Sequence, residues 1–329
     1  MLVARCMPLV SSQFRPPAFL RNGHVQTILQ VLFPRRFTLR FERERLDLDD
    51  GDFVDLDWHE AGSRRVAILS HGLEGNSRQD YMLGTARALI ASGWDVLAWN
   101  FRGCGGEPNR LLRFYHSGET GDLAAVIRHA AARYERIALV GFSLGGNVTL
   151  KYLGEAPPHH AVCAAAAVCV PIDLASCARA LDERASNRVY LRRFITTLVA
   201  KIEAKARRFP ELDVRGARRI GSFREFDGRF TAPIHGFRDA DDYWARASAR
   251  PLLPRITVPT LLLNPRNDPF LAPPCYPEPE AEASAHLFLE TPDSGGHVGF
   301  LDLANGLERW SERRVAQFLG EKAATPREA

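Results

Sequence analysis

Gly141-Phe142-Ser143-Leu144-Gly145-Gly146 sets a serine among small residues in the pattern G-x-S-x-G. The apolar run 137–140 before it reads as a strand, and residues 147–153 after it begin a helix. A residue on so sharp a strand-to-helix turn is forced into strained backbone geometry, with its side chain pushed out above the sheet. Its flanks must be small because strand and helix come very close there. N–H groups and the dipole at the helix start favour the negative charge that develops when a hydroxyl attacks a carbonyl. The chemistry implied is acyl transfer through Ser143.

A neutral serine is a poor nucleophile and needs a base held in orientation by a carboxylate. With the nucleophile on such a turn, the acid and then the histidine follow along the chain. Asp268 suits the acid, in Asn264-Pro265-Arg266-Asn267-Asp268-Pro269 after an apolar run at 260–263. His297 suits the base, in Gly295-Gly296-His297-Val298-Gly299-Phe300 after the next run. Both lie just past the carboxyl ends of strands, where open α/β sheets place their sites. An Asp before Pro also starts turns, and a His among glycines also occurs in surface loops, so order and placement carry the assignment. Asp173 is the rival acid. The oxyanion needs two backbone donors: Leu144 N–H, and Leu73 N–H in the loop His71-Gly72-Leu73. His71, at a strand end, is expected to line the substrate pocket.

The elements that must position these residues follow from periodicity. Residues 66–70, 94–100, 137–140, 161–170, 260–263 and 286–289 read as buried strands separated by helical patterns. One helix starts near Ser77, whose spacing to Asp80 resembles a capping box, and Gly93 marks its stop. Another spans 120–134, and 303–318 reads as a closing amphipathic helix. This alternation predicts an α/β architecture, a mostly parallel sheet with helices on both faces. Between 171 and 255 it lapses for about 80 mainly helical residues, too many for a plain connection. The expected organisation is an N-terminal arm over 1–60 packed on the core, a core over 61–170 and 256–319, an inserted cap or lid over 171–255, and a frayed tail over 320–329.

Composition limits the function classes. With 329 residues, 46% of them hydrophobic and 25% charged, the chain can bury a substantial core. A net charge of +4 gives no argument for a nucleic-acid partner. No apolar run reaches the ~18 residues of a membrane span, and the first ten residues lack a signal-peptide core. Cys6, Cys104, Cys163, Cys169, Cys177 and Cys275 have no zinc-ligand spacing, so buried reduced thiols in a cytoplasmic protein, with no metal, are expected.

On these residues the chain resembles the YheT-like, or AB hydrolase 4, family of α/β-hydrolases, from about Pro17 to Phe318. The likeness rests on Asn22-Gly23-His24-Val25-Gln26-Thr27, His71-Gly72-Leu73-Glu74-Gly75, Asn100-Phe101-Arg102-Gly103-Cys104-Gly105-Gly106 and Tyr115-His116-Ser117-Gly118. Further on it takes in residues 141–146, Phe226-Asp227 with Thr231-Ala232-Pro233, Gly236-Phe237, Asp242-Tyr243-Trp244, Asn264 with Asp268-Pro269, and residues 295–300. The resemblance implies the α/β-hydrolase fold, a triad on Ser143, Asp268 and His297, no cofactor, and carboxylesterase or acylglycerol lipase activity. Some relatives act as phospholipases or acyl-alcohol transferases. Larger eukaryotic members carry an N-terminal membrane anchor, which is not carried over to this chain.

The reading that follows is a serine hydrolase of small-molecule acyl esters, lipids among them. Acyl transfer to an alcohol, an amidase, and a non-catalytic binding protein on a hydrolase scaffold are the alternatives. Residues 188–209 form the long helix of the cap, with Phe194, Leu198 and Ile202 as an apolar stripe beside Arg192, Arg193, Lys201, Lys205, Arg207 and Arg208. A lid helix with solvated charges is expected, and peripheral contact with an anionic membrane is the alternative. His24, Gln26 and Thr27 are expected to fasten the arm by hydrogen bonds. Arg102 is expected to shape the turn beside the pocket, and His116 to be structural.

Overall fold

The computed structural model describes residues 9–302 and 308–324. One sheet holds β1 (Leu9–Val10), β2 (Glu42–Asp47), β3 (Phe53–His59), β4 (Arg65–Ser70), β5 (Asp95–Asn100), β6 (Arg136–Phe142), β7 (Val162–Val168), β8 (Thr260–Leu263) and β9 (Leu287–Glu290). Their order is β1-β9-β8-β7-β6-β4-β5-β3-β2. All pairings are parallel except those of β3 with β5 and with β2.

Helices cover both faces, because each buried strand sends alternate side chains to opposite sides. Val66 and Ile68 share one apolar layer with α3 (Thr120–Ala131) and α4 (Leu144–Glu155), through Leu123, Val126, Val148 and Leu153. Ala67 and Leu69 share the other with α2 (Asp80–Ala91) and α11 (Trp310–Ala324), through Met82, Leu89, Val315 and Phe318. β7 reads Val-Cys-Ala-Ala-Ala-Ala-Val, and these short side chains let α4 and α11 approach it.

Three details differ from the sequence reading. The helix expected near Ser77 begins at Asp80 without a side-chain cap, because Ser77 Oγ donates to Asp57 and Asp80 pairs with Arg35 and Arg309. Residues 1–60, read as an arm, contribute β1 to β3 to the sheet as well as α1 (Gly23–Leu32). The sign lay in residues 53–58: Val54, Leu56 and Trp58 alternate with Asp55 and Asp57, which pair with Arg45 and Arg43 across the β2–β3 ladder. The closing helix expected over 303–318 runs from Trp310 to Ala324, while residues 303–307 and 325–329 lie outside the described residues. The frayed tail expected over 320–329 falls partly on this helix.

Between β7 and β8 lie α5 (Leu174–Glu183), α6 (Arg188–Ala206), α7 (Phe223–Phe226), α8 (Ala232–Ile234) and α9 (Ala240–Ala247). They enclose an apolar cluster of their own that includes Leu181, Leu198, Ile202, Phe226 and Trp244. α10 (Glu278–Glu282) precedes β9. No helix of the described residues is long and apolar enough to cross a membrane.

Candidate active site

Ser143 sits between β6 and α4 at φ 51°, ψ −117°, a region that costs a non-glycine residue of order 1–3 kcal/mol. Its N–H donates to Val168 O at 2.9 Å and its carbonyl accepts Asn147 N–H at 3.1 Å, which hold the strain in place. The small flanks are required sterically: a Cβ on Gly145 would run into the carbonyl oxygens of Ser70 and His71.

Asp268 lies in the turn after β8. Its Oδ1 accepts Phe270 N–H at 2.9 Å and its Oδ2 lies 2.8 Å from His297 Nδ1. An ionised carboxylate only accepts, so Nδ1 carries the proton and Nε2 is left as an acceptor. Both side chains are buried. Asp173, the rival acid, caps α5 by accepting Ser176 N–H at 2.9 Å. Asn264 fixes the base of the turn, accepting Val170 N–H at 2.7 Å and donating to Cys275 O at 2.8 Å.

Two residues that periodicity did not connect with the site grip the backbone of His297. Thr27 Oγ1 accepts its N–H at 2.8 Å, and Gln30 Nε2 donates to its carbonyl at 2.6 Å. Gln26 ties the same loop, donating to Leu301 O and accepting Leu301 N–H. Gln26 and Thr27 thus fasten α1, and Gln30 was the missed member. Its sign was a polar stripe, Gln26, Thr27 and Gln30, along one side of an otherwise apolar helix.

Cys169, at φ 54°, accepts Val298 N–H on Sγ at 3.2 Å. Among the described residues, Cys169, Asp268 and His297 are the one group that could hold a metal ion, their ligand atoms within 4.8 Å of one another. The Asp–His pair is already joined and burial pushes the thiol well above its ordinary range, so the group fits a hydrogen-bonded cluster.

Leu144 opens α4, so its N–H falls outside the helical ladder. Around Leu73, Tyr81 OH takes Gly72 N–H at 3.0 Å and Tyr115 OH takes Glu74 N–H at 2.8 Å, pinning the loop on either side. His71 departs from expectation. It is fully buried and absent from the cavity wall, donating from Nδ1 to Gly72 O at 2.8 Å and accepting Phe101 N–H on Nε2. Burial pushes it down to about 3, so it stays neutral and shapes the loop.

Ser143, Leu144, Leu73 and His297 line one cavity of about 110 Å³ between sheet and inserted helices. Its walls are mostly apolar, with Phe194, Leu198, Phe223, Phe270 and Ala178 among them. Asp227 also borders it, within a π-helical turn over Asp227–Thr231, and accepts from Thr231 Oγ1 and Trp244 Nε1. Burial raises its carboxyl to about 6. α6 buries Leu198 and Ile202 as a lid helix would, yet two of its charges turn inward, Lys205 buried and Lys201 partly so. Lys201 reaches Glu74 Oε1 at 2.7 Å, and Lys205 reaches Asn109 Oδ1 at 2.8 Å and Leu111 O at 2.6 Å. Long stems let both ammonium groups find polar partners beneath the helix.

A family model described as alpha/beta hydrolase fold matches residues 67–303. YheT of Escherichia coli (strain K12), provisionally named an esterase, is 36% identical over 319 residues, covering 94% of this chain and 93% of that protein. Phospholipase ABHD3 of Homo sapiens is 29% identical over 308 residues, covering 90% and 75%. In fold, the chain is similar to the Pyrococcus furiosus esterase Pf2001, with a TM-score of 0.58, 17% identity, and coverage of 88% of this chain and 98% of that one. The strained Ser143 turn, the sheet order and these likenesses agree: the chain belongs to the α/β-hydrolase fold family, in its YheT-like branch.

Proposed function

We propose that the protein hydrolyses carboxylic esters of apolar acyl groups through Ser143, His297 and Asp268. The observation that carries this reading is the 2.8 Å pair between His297 Nδ1 and Asp268 Oδ2, with His297 and Ser143 in the wall of the same apolar cavity. His297 Nε2 takes the Ser143 proton as Oγ attacks the ester carbonyl, and Asp268 stabilises the imidazolium. The Leu73 and Leu144 N–H groups receive the oxyanion. His297 then protonates the leaving alcohol, and water releases the acid from the acyl-enzyme. Residues 171–255 act as a cap whose apolar inner face selects the acyl chain. The names of the relatives, an esterase and a phospholipase, support an ester substrate. The free thiols, including the buried Cys169, Cys177 and Cys275, fit a cytoplasmic location.

A fluorophosphonate probe tests the nucleophile. The expected result is labelling of the native protein and none of Ser143→Ala, with hydrolysis of p-nitrophenyl esters lost in parallel. Labelling that survives Ser143→Ala overturns the assignment. Added ethanol separates hydrolysis from acyl transfer: ethyl ester as the main product identifies a transferase on the same residues.

A further inference from the structure

α1 is turned inside out. Its buried positions are Gly23, Gln26, Thr27 and Gln30, and the side chains of the last three are spent on the loop of His297. Its apolar residues Ile28, Val31 and Leu32 face solvent, with Phe19 before the helix and Phe33 just after it. Phe19 is 68% exposed, Leu32 64% and Phe33 72%. Five large apolar side chains so close in sequence exceed the scattered exposure normal for a protein surface.

The exposed charges nearest this face in sequence are basic. No Asp or Glu occurs before Glu42, while Arg15, Arg21 and Arg36 are exposed; the exposed acid beside them is Asp293, next to Ser294, whose Oγ donates to Arg21 O. The start of α6 adds to it: Val189 is 76% exposed and Arg193 is exposed, while Arg188 and Arg192, also exposed, share a groove with Asp182 and Glu203. His24 joins the two helices, its Nδ1 3.1 Å from Tyr190 OH and its ring stacked on that of Tyr190. Tyr190 packs on Phe270, and Phe270 on the His297 ring, with centroid distances of 4.9 Å and 4.2 Å.

We propose that this face docks on an anionic lipid surface, α1 lying at the headgroup boundary with its apolar side inward and the arginines against phosphate. A second copy of the chain is a poor occupant, because a two-fold contact would set arginines against arginines. An anionic bilayer meets both requirements at once, apolar insertion and cation pairing. The inference rests on the proposed ester hydrolysis for one point only, that a lipid ester would enter beside the docked face.

Flotation with vesicles of phosphatidylcholine, alone or mixed with phosphatidylglycerol, tests it, using the full chain carrying Ser143→Ala so that turnover plays no part. The expected result is binding to the anionic vesicles that weakens with salt. Leu32→Ser with Phe33→Ser should lower it by about tenfold or more. In the otherwise native chain this pair should leave hydrolysis of a short soluble ester and the thermal midpoint unchanged. No binding to anionic vesicles, or binding that the double variant retains, overturns the proposal. So does a dimer in gel filtration that the double variant dissolves, which would assign the face to self-association. Vesicle binding by a protein inactive on every ester would overturn the proposed function and leave this inference standing.

Discussion

Thr27 Oγ1 accepts the main-chain N–H of His297 at 2.8 Å, a contact between residues 270 positions apart. A hydroxyl on a helix outside the matched family segment of residues 67–303 therefore fixes the height of the candidate base above the sheet. Thr27→Val keeps the shape and removes the acceptor, leaving a buried N–H unpaired at a cost of about 1–3 kcal/mol. The expected outcome is a fall of roughly tenfold in kcat with little change in KM. Thr27→Ser should restore most of it, and steady-state kinetics on a soluble ester reads both.

Gly145→Ala tests the close approach at the turn. Its methyl would meet the Ser70 and His71 carbonyls, which belong to β4 and the candidate oxyanion loop and cannot swing aside. A loss of about 2–4 kcal/mol in urea unfolding is expected. Fluorophosphonate labelling of the surviving folded fraction should be slowed as well.

Arg102 is buried in a fork with Asp122, its Nε and Nη2 at 2.7 and 2.6 Å from the carboxylate, and its Nη1 lies 2.7 Å from Asp50 and 3.1 Å from Asp52. Arg102→Met strands Asp122, whose carboxyl burial already raises. Removing one partner of such a pair costs about 3–5 kcal/mol. Urea denaturation should show most of this loss in Arg102→Lys too, since a lysine cannot reproduce the fork.

Burial of Asp227 implies a pH-dependent contribution to stability. Its folded value of about 6 lies above the ordinary 3.8, so the fold holds this proton more tightly than the unfolded chain does. The stabilisation is full below about pH 4 and is lost as pH rises through about 6, by up to about 3 kcal/mol. Asn at this position can accept from Trp244 Nε1 and donate to Thr231 Oγ1. The difference in stability between native protein and Asp227→Asn should therefore move in favour of the variant from pH 4 to 7, as read by urea midpoints.

Ala178, on the cavity wall in α5, offers a test of chain-length selection. Ala178→Phe fills space beyond Ser143 and should cut kcat/KM for p-nitrophenyl decanoate by about tenfold or more. The acetate should change by less than about threefold. Equal losses on both esters would place the acyl chain elsewhere.

How much could be read from sequence depended on how local the cause was. Ser143 was legible because its turn is specified by neighbours within three residues, and Asp268 and His297 because each follows its own strand. The clamp on His297 was not, since it joins Thr27 and Gln30 to a loop near the other end of the chain. Ser77 misled for the same reason: its hydroxyl serves Asp57, twenty residues away, rather than the helix it precedes. His71 was placed at the correct strand end, but its ring turns inward, where it meets Phe101 edge to face. Lys201 and Lys205 matched a solvated helix face in pattern, and only the loops beneath α6 turned them inward.

The alanine-rich β7 has a consequence for the making of the protein. Alanine is the strongest helix former and is depleted in strands, so residues 164–167 adopt the extended state only because β6 and β8 flank them. β8 lies about 90 residues further along the chain, an interval on the order of ten seconds of synthesis. During that time the segment has one half of its ladder and a competing local preference for helix. The ladder of β7 is thus completed late in the life of the nascent chain, and it depends on a strand the ribosome has not yet delivered.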